Sequence, residues 1–294
     1  MLQIYLLIPP SNKKLNMKNK YSRNLINASL VAVALASGAA NAGTEPMAPA
    51  PMAPPPVEDV VSGVLKLDFN THFISYGADV WSDRDPQLSE LNFNPMLELA
   101  IAMPANLTAT LGVWADVTDK GVGSTIGGDI REIDIWAGLA YTYDKFTVGA
   151  TFQEWYYGSS SEEILDIKFS YDTFLSPSLT VHNRLGEGAS GGDEGTVLVA
   201  GISYGFEAGP VSISFPVNLA YFVTDEFHGV GVADSGFGFV SFGVGASVPL
   251  EFLSPVGDWT LNAGLTYYIT DEEVIPNNDT GDFLTASLGV ALAF

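Results

Sequence analysis

Asp116, Glu132 and Asp134 are the residues whose type and spacing point most directly to chemistry: three carboxylates of one parity on two neighbouring segments of alternating apolar and polar residues. In an extended chain, alternate side chains share a face. Antiparallel pairing sets Asp116 opposite Glu132 with Asp134 one pleat below, and the basic residue of these segments, Arg131, faces the other way. An acidic ring at a constriction favours cations; a solvated acidic rim is the alternative. Seven more groups share the inward faces: Lys66, Glu98, Asp166, Lys168 and Arg184 carry charge, and His72 and His182 can take up a proton near neutral pH. If the first long connection is centred near residue 82, Lys66 falls opposite Glu98 and His72 opposite Asn92, while Arg184 comes near Asp166. Such pairs neutralise charge that would otherwise be buried alone. All ten residues are expected to line a pore.

Hydrolysis would need a nucleophile or activated water beside a histidine oriented by a third polar group. The chain has three histidines, and the third, His228, falls in a connection. No inward serine is placed within reach of His72, so an enzyme is not expected; a lipid-modifying or proteolytic barrel enzyme is one alternative, a non-conducting adhesin or structural barrel another. The absence of cysteine removes thiol nucleophiles, disulfides and cysteine metal sites. Glycines at 121–128 and 236–245 lack the strand-to-helix context of a nucleotide loop, and the carboxylates of 271–282 are too irregularly spaced for a calcium loop. No cofactor and no metal are expected.

The elements that must position these groups are strands. The last eleven residues put Leu284, Ala286, Leu288, Val290, Leu292 and Phe294 on one face and Thr285, Ser287, Gly289, Ala291 and Ala293 on the other. This dyad pattern recurs in twelve segments, near 63–76, 89–102, 106–117, 130–143, 146–157, 163–174, 178–186, 195–207, 210–224, 237–251, 258–270 and 282–294. The fold class that follows is all-β: a closed antiparallel transmembrane β-barrel of about 12 strands, since closure leaves no edge for lipid to meet. Short turns at 103–106, 144–145, 176–177 and 208–210 alternate with long acidic connections at 77–88, 118–129, 225–236 and 271–281. Short turns belong in the periplasm, long loops outside. Aromatics fall where interfacial girdles are expected: Tyr141, Tyr143, Phe169, Tyr171, Tyr204, Phe206, Trp259 and Phe294 toward the periplasm, and Phe73, Phe152, Tyr221 and Tyr267 toward the outside. Ser241, Gly243, Gly245 and Ser247 share one inward face of almost no volume, which implies an open, narrow lumen.

Before the strands, Lys18, Lys20 and Arg23 precede an apolar run over 25–36, and Ala40-Asn41-Ala42 forms a small-residue cleavage site. Residues 1–42 read as an export signal, with Met17 a more conventional start. Residues 43–61, which include EPMAPAPMAPPP, read as a proline-rich periplasmic tether, and 62–294 as the barrel. Five of the 12 basic residues and none of the 34 acidic ones leave with the signal, so the mature chain keeps 12 − 5 = 7 against 34, a net charge of −27. Nucleic acid is excluded as a partner. The expected location is the bacterial outer membrane; the expected partners are its lipid, the insertion machinery that reads a terminal aromatic strand, and small hydrophilic solutes or cations.

Two stretches carry a family resemblance. HFISYGADVWSD, from His72 to Asp83, is similar to the opening segment of the TorF-type porins, with Tyr76-Gly77 where that family usually has Arg-Gly. EIDIWAGLAYTYDKFTVGATFQEWYYG, from Glu132 to Gly158, resembles the family's central acid-aromatic strand pair. The resemblance implies a porin and brings no substrate or site residues with it. The function expected on these grounds is passive diffusion of small hydrophilic solutes, with a preference for cations.

Overall fold

The computed structural model describes residues 60–81, 91–119, 126–188 and 191–294. Residues 1–59, where the export signal and most of the tether are expected, lie outside them. The described chain forms fourteen strands: β1 (Val61–Asn70), β2 (Ile74–Ser75), β3 (Ala78–Asp79), β4 (Asn92–Met103), β5 (Leu107–Val117), β6 (Ile130–Tyr143), β7 (Phe146–Tyr156), β8 (Ser161–Tyr171), β9 (Ser178–Arg184), β10 (Gly195–Ala208), β11 (Val211–Phe222), β12 (Gly236–Pro249), β13 (Asp258–Thr270) and β14 (Asp282–Ala293). Twelve of them close into an antiparallel barrel, and β2 and β3 make a separate two-stranded hairpin. Closure is made by β1 against β14, from Val64 opposite Ala293 to Asn70 opposite Ser287. Each of the twelve dyad segments is one barrel strand, because a strand with two chemically distinct faces can satisfy both only between unlike surroundings.

One end of the barrel carries tight turns. Ala105, Asn106, Asp144, Ser176 and Gly209 take positive φ there, the backbone geometry that lets short hairpins match the twist of their strands. The longer connection at this end holds a 3-10 helix, Glu251–Val256, which the alternation did not suggest. The opposite end carries the long loops. Outward-facing apolar side chains form an exposed belt, including Leu111, Leu139, Ile202, Leu219, Leu265 and Leu288. Tyr141, Tyr143, Tyr171, Tyr204, Phe206 and Phe294 are exposed toward the turn end, and Phe152, Tyr221 and Tyr267 toward the loop end.

The core of this barrel lies inside it, in the loop-end half. Ile74, Tyr76, Trp155, Ile164, Val197, Phe222, Phe227, Tyr268 and Ile275 are all buried together there, contributed by strands and loops alike. The expected open lumen is therefore corrected at this end. β1 stops at Asn70, short of the expected residue 76, and Thr71–Trp81 turns inward as the β2–β3 hairpin. Phe73, expected on the lipid side, is buried with Met96, Trp114 and Trp136 instead. The physical reason is volume: twelve strands enclose more space than their own small inward side chains fill, and the aromatic run Phe73-Ile74-Ser75-Tyr76 fills it.

Candidate functional site

Tyr76 shows how deeply the hairpin penetrates. Its hydroxyl hydrogen-bonds His182 Nδ1 on β9, and β1 and β9 lie six places apart by either route round the twelve strands. The hairpin tip thus crosses the full bore. Tyr76 takes φ 46° and Gly77 φ 82°, left-handed values that favour glycine at the second position. Contact favours it too: a Cβ on Gly77 would lie 2.4 Å from Phe239. The Tyr76 ring sits 3.8 Å from that of His182, stacks on Trp155 and meets Phe227 edge-on.

Three walls hold this tip. On β8 and β9, Asp166 Oδ1 lies 2.7 Å from His182 Nδ1, and Gln153 donates to the other oxygen of Asp166. From the loop at 223–235, His228 Nε2 lies 3.0 Å from the Tyr76 carbonyl. From the loop at 271–281, Asn278 accepts from Asp79 N at 2.7 Å and donates to the Gly77 carbonyl at 2.9 Å. Arg184 anchors the second wall: its Nε donates to Glu162 Oε2 at 3.0 Å, its Nη1 to the Phe227 carbonyl at 2.8 Å, and its guanidinium lies 3.9 Å from the centre of the Phe227 ring. Burial drives the His228 imidazole down to about 3, opposed by the Tyr76 carbonyl and reinforced by the charges of Arg184 and His182.

The ten expected site residues divide between two levels. Asp116 does oppose Glu132, and Trp114 pairs with Asp134 one pleat below. All three carboxylates are buried, not open to a mouth: Asp116 accepts from Trp81 Nε1 at 3.1 Å and from Asn94 Nδ2 at 2.9 Å. Arg131 also departs from expectation, because a bulge between Asp116 and Val117 makes it the extra residue, buried with its Nε donating to the Thr118 carbonyl. His72 lies off the strand in the hairpin, 3.6 Å from Asp79, and Asn92 pairs with Asn70 instead. Lys66 pairs with Met96 and Glu98 with Val64; the connection is centred one residue earlier than expected, which moves each partner by two. Arg184 opposes Ile164, and Asp166 is taken by His182. Glu98 accepts from Trp136 Nε1 at 2.8 Å. Lys66 and Lys168 are half-buried, at the level where the plugged half gives way to the other.

Below them the inward faces are small and polar. Thr108, Thr142, Ser178, Ser203, Ser212 and Thr260 are half-buried along the wall, as is Gly243 of β12, while Thr147, Thr180, Ser214 and Ser247 are buried. This half is lined by small side chains, in contrast to the loop-end half. Tyr76, Trp155, Phe227 and His228, which close the other half, were not among the expected site residues. The signal was present on the strands: Trp155, Ile164, Val197 and Phe222 have inward parity and are large and apolar, unlike inward residues at the turn end.

No protein-family model matches the chain and no curated protein does, so the likeness to TorF-type porins rests on the two quoted stretches. Solved structures with a similar trace include the KdgM porin, 10% identical, covering 79% of this chain and 99% of its own, at a TM-score of 0.42. Outer membrane phospholipase A from Escherichia coli is 12% identical over 79% of this chain and 92% of its own, with a TM-score of 0.41. The translocator domain of the autotransporter NalP from Neisseria meningitidis is 10% identical over 93% of this chain and 98% of its own, again at 0.41. At such scores none of them bears on what this chain does.

Proposed function

We propose that this protein is an outer-membrane barrel of bacteria that admits small hydrophilic solutes by passive diffusion, with turns in the periplasm and long loops outside. The observation that carries the reading is the contrast across one wall: an exposed apolar belt outside, and inside the turn-end half a face of threonine, serine and glycine, too small to fill a twelve-stranded bore. Hydrolysis is less well supported, since the His182–Asp166 pair is sealed under Tyr76. Cation preference is part of the proposal. In the plugged half Asp116, Glu132, Asp134 and Glu162 outnumber Arg131 and Arg184, so a path opened through it meets net negative charge.

The test is conductance of refolded protein in planar bilayers. Small steps are expected, with K⁺ passing in preference to Cl⁻ and the preference fading toward ~1 M salt, where screening contracts to ~3 Å. The combined change Asp116→Asn, Glu132→Gln and Asp134→Asn keeps shape while removing charge, and should lower the preference severalfold. Undiminished selectivity in that variant would refute the role of the three acids.

A further inference from the structure

The longest connection at the turn end folds outward, whereas the hairpin at the other end folds into the bore. β12 ends at Pro249, and Glu251–Val256 winds into the 3-10 helix before β13 begins at Asp258. The base of the connection is closed by the Leu250 N–H, which donates to the Trp259 carbonyl at 2.8 Å. Gly257 fixes its direction. A Cβ built there would lie 2.4 Å from Leu292 Cδ1 and 3.6 Å from Trp259 Nε1, and Trp259 and Leu292 are an opposed pair of β13 and β14. By alternation that pair shares the outer face with the exposed Leu261, Leu265, Leu284 and Leu288. The segment therefore lies against the outside of the wall.

In a 3-10 helix residues i and i+3 eclipse one another, so the six residues EFLSPV present three faces: Glu251 with Ser254, Phe252 with Pro255, and Leu253 with Val256. One face is polar and two are apolar. Phe252 is 78% exposed and Val256 69%, more than any large apolar side chain on β13 or β14. We propose that this helix is a membrane foot: it lies in the lipid leaflet at the turn end, with Phe252 and Val256 among the first acyl carbons of the phospholipid and Glu251 and Ser254 turned to headgroups and water. The inference rests on the outer-membrane reading above and adds a lipid-binding element that is not part of the barrel wall.

Phospholipid is the occupant because the helix continues the apolar belt. Gly257 abuts Leu292 and Trp259 directly, so whatever covers that belt meets the helix next. The apolar surface runs on to Phe294, 59% exposed at the end of β14, whose ring lies against Gly63 of β1 across the closing seam. A polar face beside two apolar ones suits a boundary between water and hydrocarbon, where such helices sink by about 5–10 Å; water on every side would leave Phe252 and Val256 unburied. The tight turns 104–106, 144–145 and 209–210 carry no large apolar side chain. Of the remaining connections at this end only 172–177 offers a comparable one, Phe174 at 77% exposed, and it has no helix. The foot thus stands on one side of the barrel, beside the seam.

The experiment uses the absence of native cysteine. Phe252→Cys and, separately, Val256→Cys are labelled with an NBD fluorophore in the full chain and reconstituted into phosphatidylcholine vesicles that carry a nitroxide either near the headgroup or deep in the acyl chain. Leu265→Cys in the belt and Asp234→Cys in the exposed loop at 223–235 are the references. Labels at 252 and 256 should be quenched severalfold more by the shallow nitroxide than by the deep one, the label at 265 more by the deep one, and the label at 234 by neither. Labels at 252 and 256 that only aqueous iodide quenches show a foot standing in water, and labels that neither nitroxide nor iodide reaches show one covered by protein. Either result, or stronger quenching by the deep nitroxide, overturns the foot, while a quenched label at 265 leaves the membrane reading standing. A label at 265 that no lipid nitroxide quenches overturns the membrane reading, and the foot with it.

Discussion

The two halves of the lumen share one sheet and one alternation, and differ in what occupies the space inside. At the turn end the inward residues are mostly threonine, serine and glycine, Ser203, Ser212 and Thr142 among them, with little side-chain volume. At the loop end they are Trp155, Ile164, Val197 and Phe222, all buried. A twelve-stranded wall is too wide for its own side chains to fill and too narrow to leave a broad channel. Large apolar inward residues make water an unfavourable occupant, so the chain itself returns through Thr71–Trp81 and the loops at 223–235 and 271–281. A barrel's bore is therefore a local property of each level and not of the strand number alone.

Three measurements tell the two halves apart. The largest difference is expected in accessibility, and the absence of native cysteine makes it clean. Ser203→Cys should react almost completely with a membrane-impermeant maleimide in detergent-solubilised protein at pH 7.5, and Val197→Cys, wholly buried beside His182 and Phe222, should not react. Equal labelling of both would mean that the loop-end half is not packed.

Next in size is the effect of Arg184→Met. This takes the guanidinium from buried Glu162 and from the Phe227 carbonyl, and removing one partner of a buried ion pair costs about 3–5 kcal/mol. The expected result is a matching drop in unfolding free energy in denaturant, together with reactivity of Val197→Cys when the two changes are combined. A loss under ~1 kcal/mol would place Arg184 among the weak, solvated pairs. The smallest effect belongs to the turn-end half. Ser203→Ala deletes a hydroxyl on a half-buried wall, and stability should change by no more than about 0.5 kcal/mol; a larger loss would show that this half, too, is held by specific packing.

Much of the barrel was legible because its pattern is local. Two-residue alternation fixes which side chains share a face wherever a strand runs, so twelve segments, their facing, and the opposition of Asp116 and Glu132 follow from residue spacing. Partners across a long connection were less secure. One residue of difference in its centre moved Lys66 from Glu98 to Met96, and a bulge beside Asp116 turned Arg131 into the wall.

Residue spacing alone dictates strands of two unlike faces, even in number and closed upon themselves, with acids and two of the histidines on the inner side. What those inner groups meet depends on how the closed barrel is filled. His72-Phe73-Ile74-Ser75-Tyr76 has the alternation of a strand continuing outward, and nothing in its own spacing distinguishes that from a hairpin turning in. The choice is made by the vacancy across the bore, where Trp155, His182 and Phe227 offer Tyr76 an apolar seat and a hydrogen-bond partner. That seat is assembled from β7, β9 and a loop, from Trp155 to Phe227 along the chain, and exists only once the sheet has closed.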